Sequence, residues 1–261
     1  MRILFIGDIV GRIGRRMVKE HLPELVSKYH IDFVIANGEN ASHGKGLLRH
    51  HYFELIESGV DVITLGNHYD SKKDLRGYID NVDRLIRPIN LLHPFPGEGS
   101  AVFDVNGVNV RVTNILGSAF MKEEVNNPYY SLLDYLSSLE EKDDIHIVDF
   151  HAEATGEKIC FAYAFDGKVS AVIGTHTHVQ TRDYRILKEG TAFISDVGMT
   201  GLYDGALGFD KDTVVSKLMF GNQVKFDIPS EGVGLLSAVV LDIDERTGKC
   251  SEIFPIYQVE K

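Results

Sequence analysis

The segment Ile3-Leu4-Phe5-Ile6-Gly7-Asp8 opens the chain with an apolar run that stops at a glycine and a carboxylate. Four consecutive large apolar residues predict a buried strand. The following stretch, Arg15–Tyr29, carries Val18, Leu22 and Leu25 at helical spacing. A buried strand followed by an amphipathic helix is typical of parallel strands joined by right-handed crossovers.

This alternation continues and then gives way to hairpins. Phe33–Ala36 and Val62–Leu65 are further apolar runs, and Tyr52–Ser58 between them fits a short helix. Asn106-Gly107 stands between two strand-like segments, which is a strong signal for a two-residue hairpin. The remaining predicted elements are a helix over Tyr129–Leu139 and strands over Ala101–Val105, Val108–Leu116, Ile145–Phe150, Ala171–Ile173, Ala192–Ile194, Leu235–Ile243 and Ile253–Val259. This mixture predicts an α/β (α+β) fold with two packed sheets between helix layers, and leaves one large mixed sheet as an alternative.

The composition limits the class of protein. The chain has 261 residues, of which 44% are hydrophobic and 25% charged, and no linker or repeat interrupts it, so we expect a single globular domain over residues 1–261. No apolar run approaches the roughly 20 residues of a membrane helix. Met1 and Arg2 lead directly into the first strand, and the two cysteines, Cys160 and Cys250, stand far apart. These features predict a cytoplasmic protein without a membrane segment or a disulfide framework.

The formal net charge of −11 argues against binding to bulk nucleic acid, which usually requires a basic surface. Any phosphate ligand must therefore be held by local chemistry. Metal ions can supply the positive charge that the side chains lack.

Six candidate metal ligands occur in short patches that mostly follow a predicted strand. They are Asp8, Glu39, Asn67, His151, His176 and His178. Taken singly, each patch is more simply interpreted as a helix cap, a turn or an exposed strand face. Because the ends of strands converge in space, the joint pattern instead favours one cluster. Carboxylate, amide and imidazole ligands suit divalent iron, manganese or zinc better than calcium, and this set predicts a two-metal hydrolase.

The motifs carry a family resemblance. Gly7-Asp8-Ile9-Val10-Gly11, Asn37-Gly38-Glu39-Asn40-Ala41, Gly66-Asn67-His68, Gly174–Thr181 and Asp196–Gly201 together resemble the YmdB-like branch of the calcineurin-like metallophosphoesterases, over nearly the whole chain. Two positions depart from the general superfamily pattern, because Val10 stands where a histidine is usual and Glu39 replaces the bridging aspartate. Both departures are similar to the YmdB-like branch itself, and the first leaves one metal short of an imidazole.

The resemblance implies a fold, a ligand set and an activity. The fold is a two-sheet β-sandwich flanked by helices (αββα). A first divalent ion is held by Asp8, Glu39, Asn40 and His178, and a second by Glu39, Asn67, His151 and His176, with Glu39 bridging. Asn40 is the weakest of these assignments, because its side chain can instead bind a backbone group. The implied activity is that of a phosphodiesterase acting on 2′,3′-cyclic nucleotides.

A mechanism follows as a hypothesis. Two ions, Fe²⁺ or Mn²⁺ with Zn²⁺ as the alternative, share a bridging water, and the resulting hydroxide attacks phosphorus in line with the leaving oxygen. His68 is not needed as a ligand, because Asn67 beside it fills that place. Its imidazole can protonate the leaving alkoxide as a general acid, and the other interpretation is an ordinary loop histidine.

Several alternatives stay open. A phosphomonoesterase, either a nucleotidase or a protein phosphatase, fits the same ligands, and so does a regulatory protein that senses a nucleotide without turnover. The Ser42–Gly46 loop either contacts a substrate phosphate or is a glycine-rich loop with an incidental lysine. His50, His51 and His93 are interpreted as surface or loop residues. Leu91–Gly99 is either a lid or a subunit contact, which leaves a homo-oligomer open.

Overall fold

Two β-sheets pack face to face in a computed structural model of the chain, which describes residues 1–140 and 143–260. The predicted domain of residues 1–261 therefore includes Glu141, Lys142 and Lys261, which lie outside the described residues. The strands, in chain order, are β1 (Arg2–Ile6), β2 (Asp8–Ile9), β3 (Phe33–Asn37), β4 (Val62–Thr64), β5 (Leu85–Ile86), β6 (Ser100–Val105), β7 (Val108–Leu116), β8 (Ile145–His151), β9 (Ala171–Thr175), β10 (Arg185–Ile186), β11 (Ala192–Ile194), β12 (Met199–Leu202), β13 (Gly234–Ile243) and β14 (Cys250–Val259). The α-helices are α1 (Gly11–Tyr29), α2 (Arg49–Glu57), α3 (Pro128–Ser138), α4 (Thr155–Ala164) and α5 (Lys211–Phe220), and two short 3-10 helices cover Lys73–Gly77 and Ile79–Asn81.

Sheet one has the strand order β2-β12-β13-β1-β3-β4-β5, with β14 added beside β13. β1, β3, β4 and β5 run parallel, whereas β13 pairs antiparallel with both β1 and β14. The first strand of the chain therefore lies in the middle of its sheet, between β3 and β13.

Sheet two has the order β10-β11-β9-β8-β7-β6. Its four central strands are parallel and its two edge strands are antiparallel. The β6–β7 hairpin turns at Asn106 and Gly107, whose φ angles are 56° and 86°. Positive φ at both turn residues is what a two-residue hairpin requires, and it explains why the Asn-Gly pair predicts this turn.

The apolar side chains form three layers of core, and alternation along each strand decides which layer a residue joins. In β8, Ile145 and Ile147 face sheet one, whereas Val148 and Phe150 face α3 and α4. In β1, Ile3 and Phe5 likewise lie between the sheets, and the alternate residues pack against α1 and α2. Helices therefore cover the outer face of each sheet.

The predicted two-sheet sandwich flanked by helices is confirmed, and the alternative of one large mixed sheet is wrong. α4 and α5 and the short strands β2, β5, β10 and β12 were not predicted. Among the described residues, none of the helices has the length and apolar character that crossing a bilayer demands.

Candidate metal centre

The eight predicted site residues come together at the carboxyl ends of the parallel strands. Asp8 follows β1, Glu39 and Asn40 follow β3, and Asn67 and His68 follow β4. His151 ends β8, and His176 and His178 follow β9. Sheet one thus supplies the carboxylates and amides, and sheet two supplies the three imidazoles of the predicted ligand set.

One half of the cluster centres on His151, which is fully buried. Its Nε2 atom lies 3.0 Å from Asn67 Oδ1, 3.1 Å from His176 Nδ1 and 3.3 Å from Glu39 Oε1. Potential ligand atoms of Glu39, His151 and His176 all lie within 4.8 Å of one another. Together with Asn67, these residues are the four that the resemblance assigns to the second ion.

The other half contains Asp8, Asn40 and His178. His178 Nε2 lies 3.1 Å from Asn40 Nδ2 and 3.9 Å from Asp8 Oδ1, and Asn40 Nδ2 donates to Glu39 Oε1 at 3.0 Å. Asn40 thus contacts the side chains of Glu39, His178 and His68, and no side-chain bond to a backbone group is found for it among the described residues. The role of Asn40 as a ligand stays a prediction.

Glu39 lies between the two halves. Its Oε1 contacts Asn40, His68 and His151, and its Oε2 accepts the backbone N–H of His68 at 2.9 Å. Gly66 leaves room for this carboxylate, because a Cβ atom at that position would overlap both Glu39 Oε2 and His151 Nε2. The glycine of the Gly66-Asn67-His68 motif is therefore needed for close approach.

The charges of the cluster favour bound cations. Burial alone would lower the pKa of His151, but the Glu39 and Asp8 carboxylates raise it to about 9. Burial would raise the pKa of Glu39, but His151 and His68 hold it well below its ordinary value. For Asp8 burial dominates and raises the pKa, and its Oδ1 atom is buried without a hydrogen-bond partner. An unpartnered buried carboxylate oxygen is costly unless a cation neutralises it.

His68, the predicted general acid, is held through one ring nitrogen. Its Nδ1 lies 2.9 Å from Glu39 Oε1 and 3.0 Å from Asn40 Oδ1, so Nδ1–H donates to these oxygens and fixes the ring, and Nε2 carries a proton in the imidazolium form. The side chain is 24% exposed, so it reaches the surface of the cluster. Whether this ring transfers a proton to a leaving group stays a prediction.

The loop that holds two of the imidazoles has a strained backbone. His176 and His178 have φ angles of 105° and 65°, values that side chains with a Cβ seldom adopt. Asp196 holds this loop in place, because its Oδ2 accepts from Thr177 N and from Lys158 Nζ, each at 2.9 Å. Lys158 also donates to the backbone oxygen of Thr175 at 2.8 Å.

Sequence reasoning missed several residues around the cluster. Glu153 Oε2 lies 3.0 Å from His176 Nε2, and Asn37, Thr64 and Thr175 occupy the last position of their strands, directly behind the ligands. The available signal was a polar residue at the end of each otherwise apolar strand. The Lys158–Asp196 ion pair gives no comparable signal, because 38 residues separate its members.

The interpretation of His51 as a surface residue is wrong. His51 is buried on α2, where its Nδ1 lies 2.7 Å from Ser42 Oγ and burial lowers its pKa to about 3. Ser42 Oγ also accepts from Leu48 N at 2.8 Å. These bonds attach the Ser42–Gly46 loop to α2. Lys45 in this loop is exposed, so a contact with a substrate phosphate and an incidental lysine both stay open as interpretations.

Comparison with known proteins now identifies the family. The model of the family described as YmdB-like protein matches residues 4–256. The chain belongs to the YmdB-like family. The family resemblance predicted from the motifs is confirmed.

Individual YmdB-like relatives match over almost their whole length. The chain is 47% identical over 253 residues to the 2′,3′-cyclic-nucleotide 2′-phosphodiesterase of Bacillus subtilis (strain 168), covering 97% of this chain and 95% of the relative. A crystal structure described as a novel phosphatase of Mycoplasma pneumoniae is 38% identical, with a TM-score of 0.93 and coverage of 99% of this chain and 93% of that one. A hypothetical protein from Thermus thermophilus is also 38% identical, with a TM-score of 0.92 and full coverage of both chains.

Proposed function

We propose that this YmdB-like chain is a metal-dependent phosphodiesterase that hydrolyses 2′,3′-cyclic nucleotides. The prediction that it is an enzyme of the phosphoric-ester hydrolase class is confirmed by its family and by the name of its Bacillus subtilis relative. That same name supports the cyclic-nucleotide substrate. The observation that carries the proposal is the Glu39 carboxylate, which two groups of nitrogen and oxygen ligands share.

The residues fit a pair of divalent cations. Asp8, Glu39, Asn40 and His178 would hold the first ion, and Glu39, Asn67, His151 and His176 would hold the second. The unpartnered Asp8 Oδ1 and the crowding of ligand atoms around His151 Nε2 both support cations at this place. The mixed nitrogen and oxygen set favours Fe²⁺ or Mn²⁺, with Zn²⁺ as the alternative. When bound, such ions offset charge on phosphoryl oxygens and make water at the site more acidic.

In this proposal His68 moves the proton. Because Glu39 and Asn40 fix His68 through Nδ1, its Nε2 would donate a proton to the leaving oxygen as the P–O bond breaks. The proton leaves the imidazolium, and the product carries a free hydroxyl group. The net charge of −11 disfavours binding of a long polyanion. We therefore expect a small phosphodiester or nucleotide rather than bulk nucleic acid as the partner.

The second candidate is a phosphomonoesterase, which the description of the Mycoplasma pneumoniae structure as a phosphatase favours. The deciding experiment loads the protein anaerobically with Mn²⁺ or Fe²⁺ and compares initial rates on 2′,3′-cyclic AMP with those on 2′-AMP and 3′-AMP. Faster turnover of the cyclic diester supports the proposal. Faster turnover of the monophosphates would replace it with the phosphatase, and stoichiometric binding without turnover would favour the nucleotide-sensing alternative.

We also propose that the chain works as a single cytoplasmic domain. Support comes from the core shared by both sheets and from two cysteines that form no disulfide, Cys160 and Cys250. Size measurement of the purified chain would test whether it forms a homo-oligomer.

A further inference from the structure

Five fully buried polar side chains, one of them the candidate ligand His151, form a network at the inner side of the candidate metal centre. Asn37 and Thr64 end neighbouring strands of sheet one, and Asp149, His151 and Thr175 lie at the ends of neighbouring strands of sheet two. The alternation along β3, β4, β8 and β9 turns all five toward the space between the sheets, as continuations of the apolar inter-sheet layer. A polar group in that position needs a hydrogen-bond partner.

Asp149 is the centre of this network. Its Oδ2 accepts from Asn37 Nδ2 at 2.9 Å and from Thr64 Oγ1 at 2.5 Å, and its Oδ1 accepts from Thr175 Oγ1 at 2.7 Å. Two of these donors belong to sheet one and the third to sheet two. The carboxylate therefore ties the two sheets together at the end that carries the ligands.

One arm of the network reaches Glu39. Asn37 gives its amide N–H to Asp149, and its Oδ1 accepts the backbone N–H of Glu39 at 3.1 Å. This bond holds the turn from which the shared carboxylate of the candidate centre projects.

The other arm reaches His151. Its Nδ1 lies 2.8 Å from Thr175 Oγ1. A threonine hydroxyl has one hydrogen, and Thr175 gives it to the Asp149 carboxylate, which only accepts. The Thr175 oxygen must then accept from Nδ1–H of His151. That bond commits the Nδ1 proton to Thr175, so Nε2, which lies near Asn67, His176 and Glu39, is the ring nitrogen left to bind a cation.

We propose that Asp149 and Thr175 are positioning residues that set the tautomer of His151 and fix it relative to Glu39 on the opposite sheet. This inference rests on the proposed function, because it assigns the network to metal binding. Partners that orient a ligating histidine typically change metal affinity 10- to 100-fold when they are removed. If the network only seals the end of the core, its loss lowers stability and leaves metal affinity unchanged.

The test compares Thr175→Val, which keeps the shape and loses the hydroxyl, with Thr175→Ser, which keeps the hydroxyl. Mn²⁺ affinity and stoichiometry are measured by titration and elemental analysis, and urea unfolding is followed in chelator. We expect Thr175→Val to weaken one of two Mn²⁺ sites about 10- to 100-fold and Thr175→Ser to stay near wild type. Wild-type Mn²⁺ affinity in Thr175→Val would overturn the inference, whatever its unfolding midpoint. Wild-type protein that takes up no Mn²⁺ would instead refute the proposed function.

A second measurement needs no variant. In Zn²⁺-loaded wild-type protein, ring ¹⁵N spectra of His151 should show the proton on Nδ1. A proton on Nε2 would overturn the inference even if Thr175→Val failed to fold.

Discussion

Strand β8 buries a histidine at each end, and the two rings have opposite properties. His146, near the amino end, lies on the helix-covered face, where burial and then Arg111 lower its pKa to about 3. His151, at the carboxyl end, faces the other sheet, where burial is outweighed by Glu39 and Asp8 and its pKa rises to about 9. Both rings bond a threonine hydroxyl, of Thr113 and of Thr175 respectively.

The difference lies in what surrounds each ring. A buried imidazole beside a guanidinium stays neutral and acts as part of the core. A buried imidazole beside two carboxylates lies in a region that attracts a cation, whether a proton or a metal ion. We therefore expect the amino end of β8 to contribute stability and the carboxyl end to contribute the proposed binding site, and substitutions should separate these two contributions.

The largest effect is expected at the carboxyl end. Glu39→Gln keeps the shape of the side chain and removes the charge that both halves of the cluster share, so both ions should be lost together. Turnover should fall by ~1000-fold, equivalent to about 4 kcal/mol of transition-state stabilisation. Elemental analysis and initial rates provide the measurement, with the exposed Glu57→Gln on α2 as the matched control. Loss of only one ion would contradict the bridging role.

His68→Ala should separate chemistry from metal binding. We expect turnover to fall roughly 100- to 1000-fold, because the leaving oxygen loses its proton donor, while the metal content stays at the wild-type value. The same metal analysis and rate assay apply. If metal is lost along with activity, His68 is a ligand and the division of roles is incorrect.

The contribution of His146, near the amino end of β8, should appear in the pH dependence of the unfolding free energy. The unfolded His146 ring takes up a proton below about pH 6.5, whereas the folded ring resists protonation until about pH 3. The unfolded state then binds more protons, so stability contributed by the neutral ring is complete above pH 6.5 and declines as the pH falls toward 3. Between pH 6.5 and 5 the loss should be about 2 kcal/mol.

Urea unfolding of metal-free protein at both pH values measures this effect. His146→Gln should lose about 2 kcal/mol less than wild type over that interval. The exposed His93→Gln is the control and should follow wild type. An unchanged pH dependence in His146→Gln would show that the ring is not held neutral by its surroundings.

The smallest effect is expected in the apolar middle of the same strand. Ile147→Val removes one methylene from the fully buried inter-sheet layer and should cost about 1 kcal/mol of unfolding free energy. Metal content and turnover should remain at wild-type values, as measured by urea unfolding and the assays above. A drop in metal content would mean that the two ends of β8 are coupled through its middle.

The parts of the fold that could be predicted from sequence are those with a regular apolar pattern. β1 and β3 contain unbroken apolar runs, and β8 and β13 are mainly apolar, which is enough to identify a buried strand. α5 could not be found in this way, because only Val214 of its apolar residues is buried, whereas Val215, Leu218, Met219 and Phe220 are exposed. Without one apolar face, a short helix leaves no periodic signal.

The candidate site likewise contains residues that could be identified from the sequence and residues that could not. Residues that stand beside a glycine at a strand end, such as Asp8 and Asn67, could be chosen from the sequence, and the structure brings them together. Asp149, Thr175 and Lys158 could not be assigned a role, because their importance depends on which atoms face them across the two sheets. That information comes from tertiary register and not from local spacing.

The central position of β1 has a consequence for how the protein is made. β1 is synthesised long before β13, which ends at residue 243 and is one of its two neighbours. Hydrogen bonding on that side of β1 must wait until most of the polypeptide has been synthesised, and such long-range pairing is slow. A nascent chain therefore keeps an open strand edge for most of its translation, and truncation before β13 should yield aggregates rather than a smaller working enzyme.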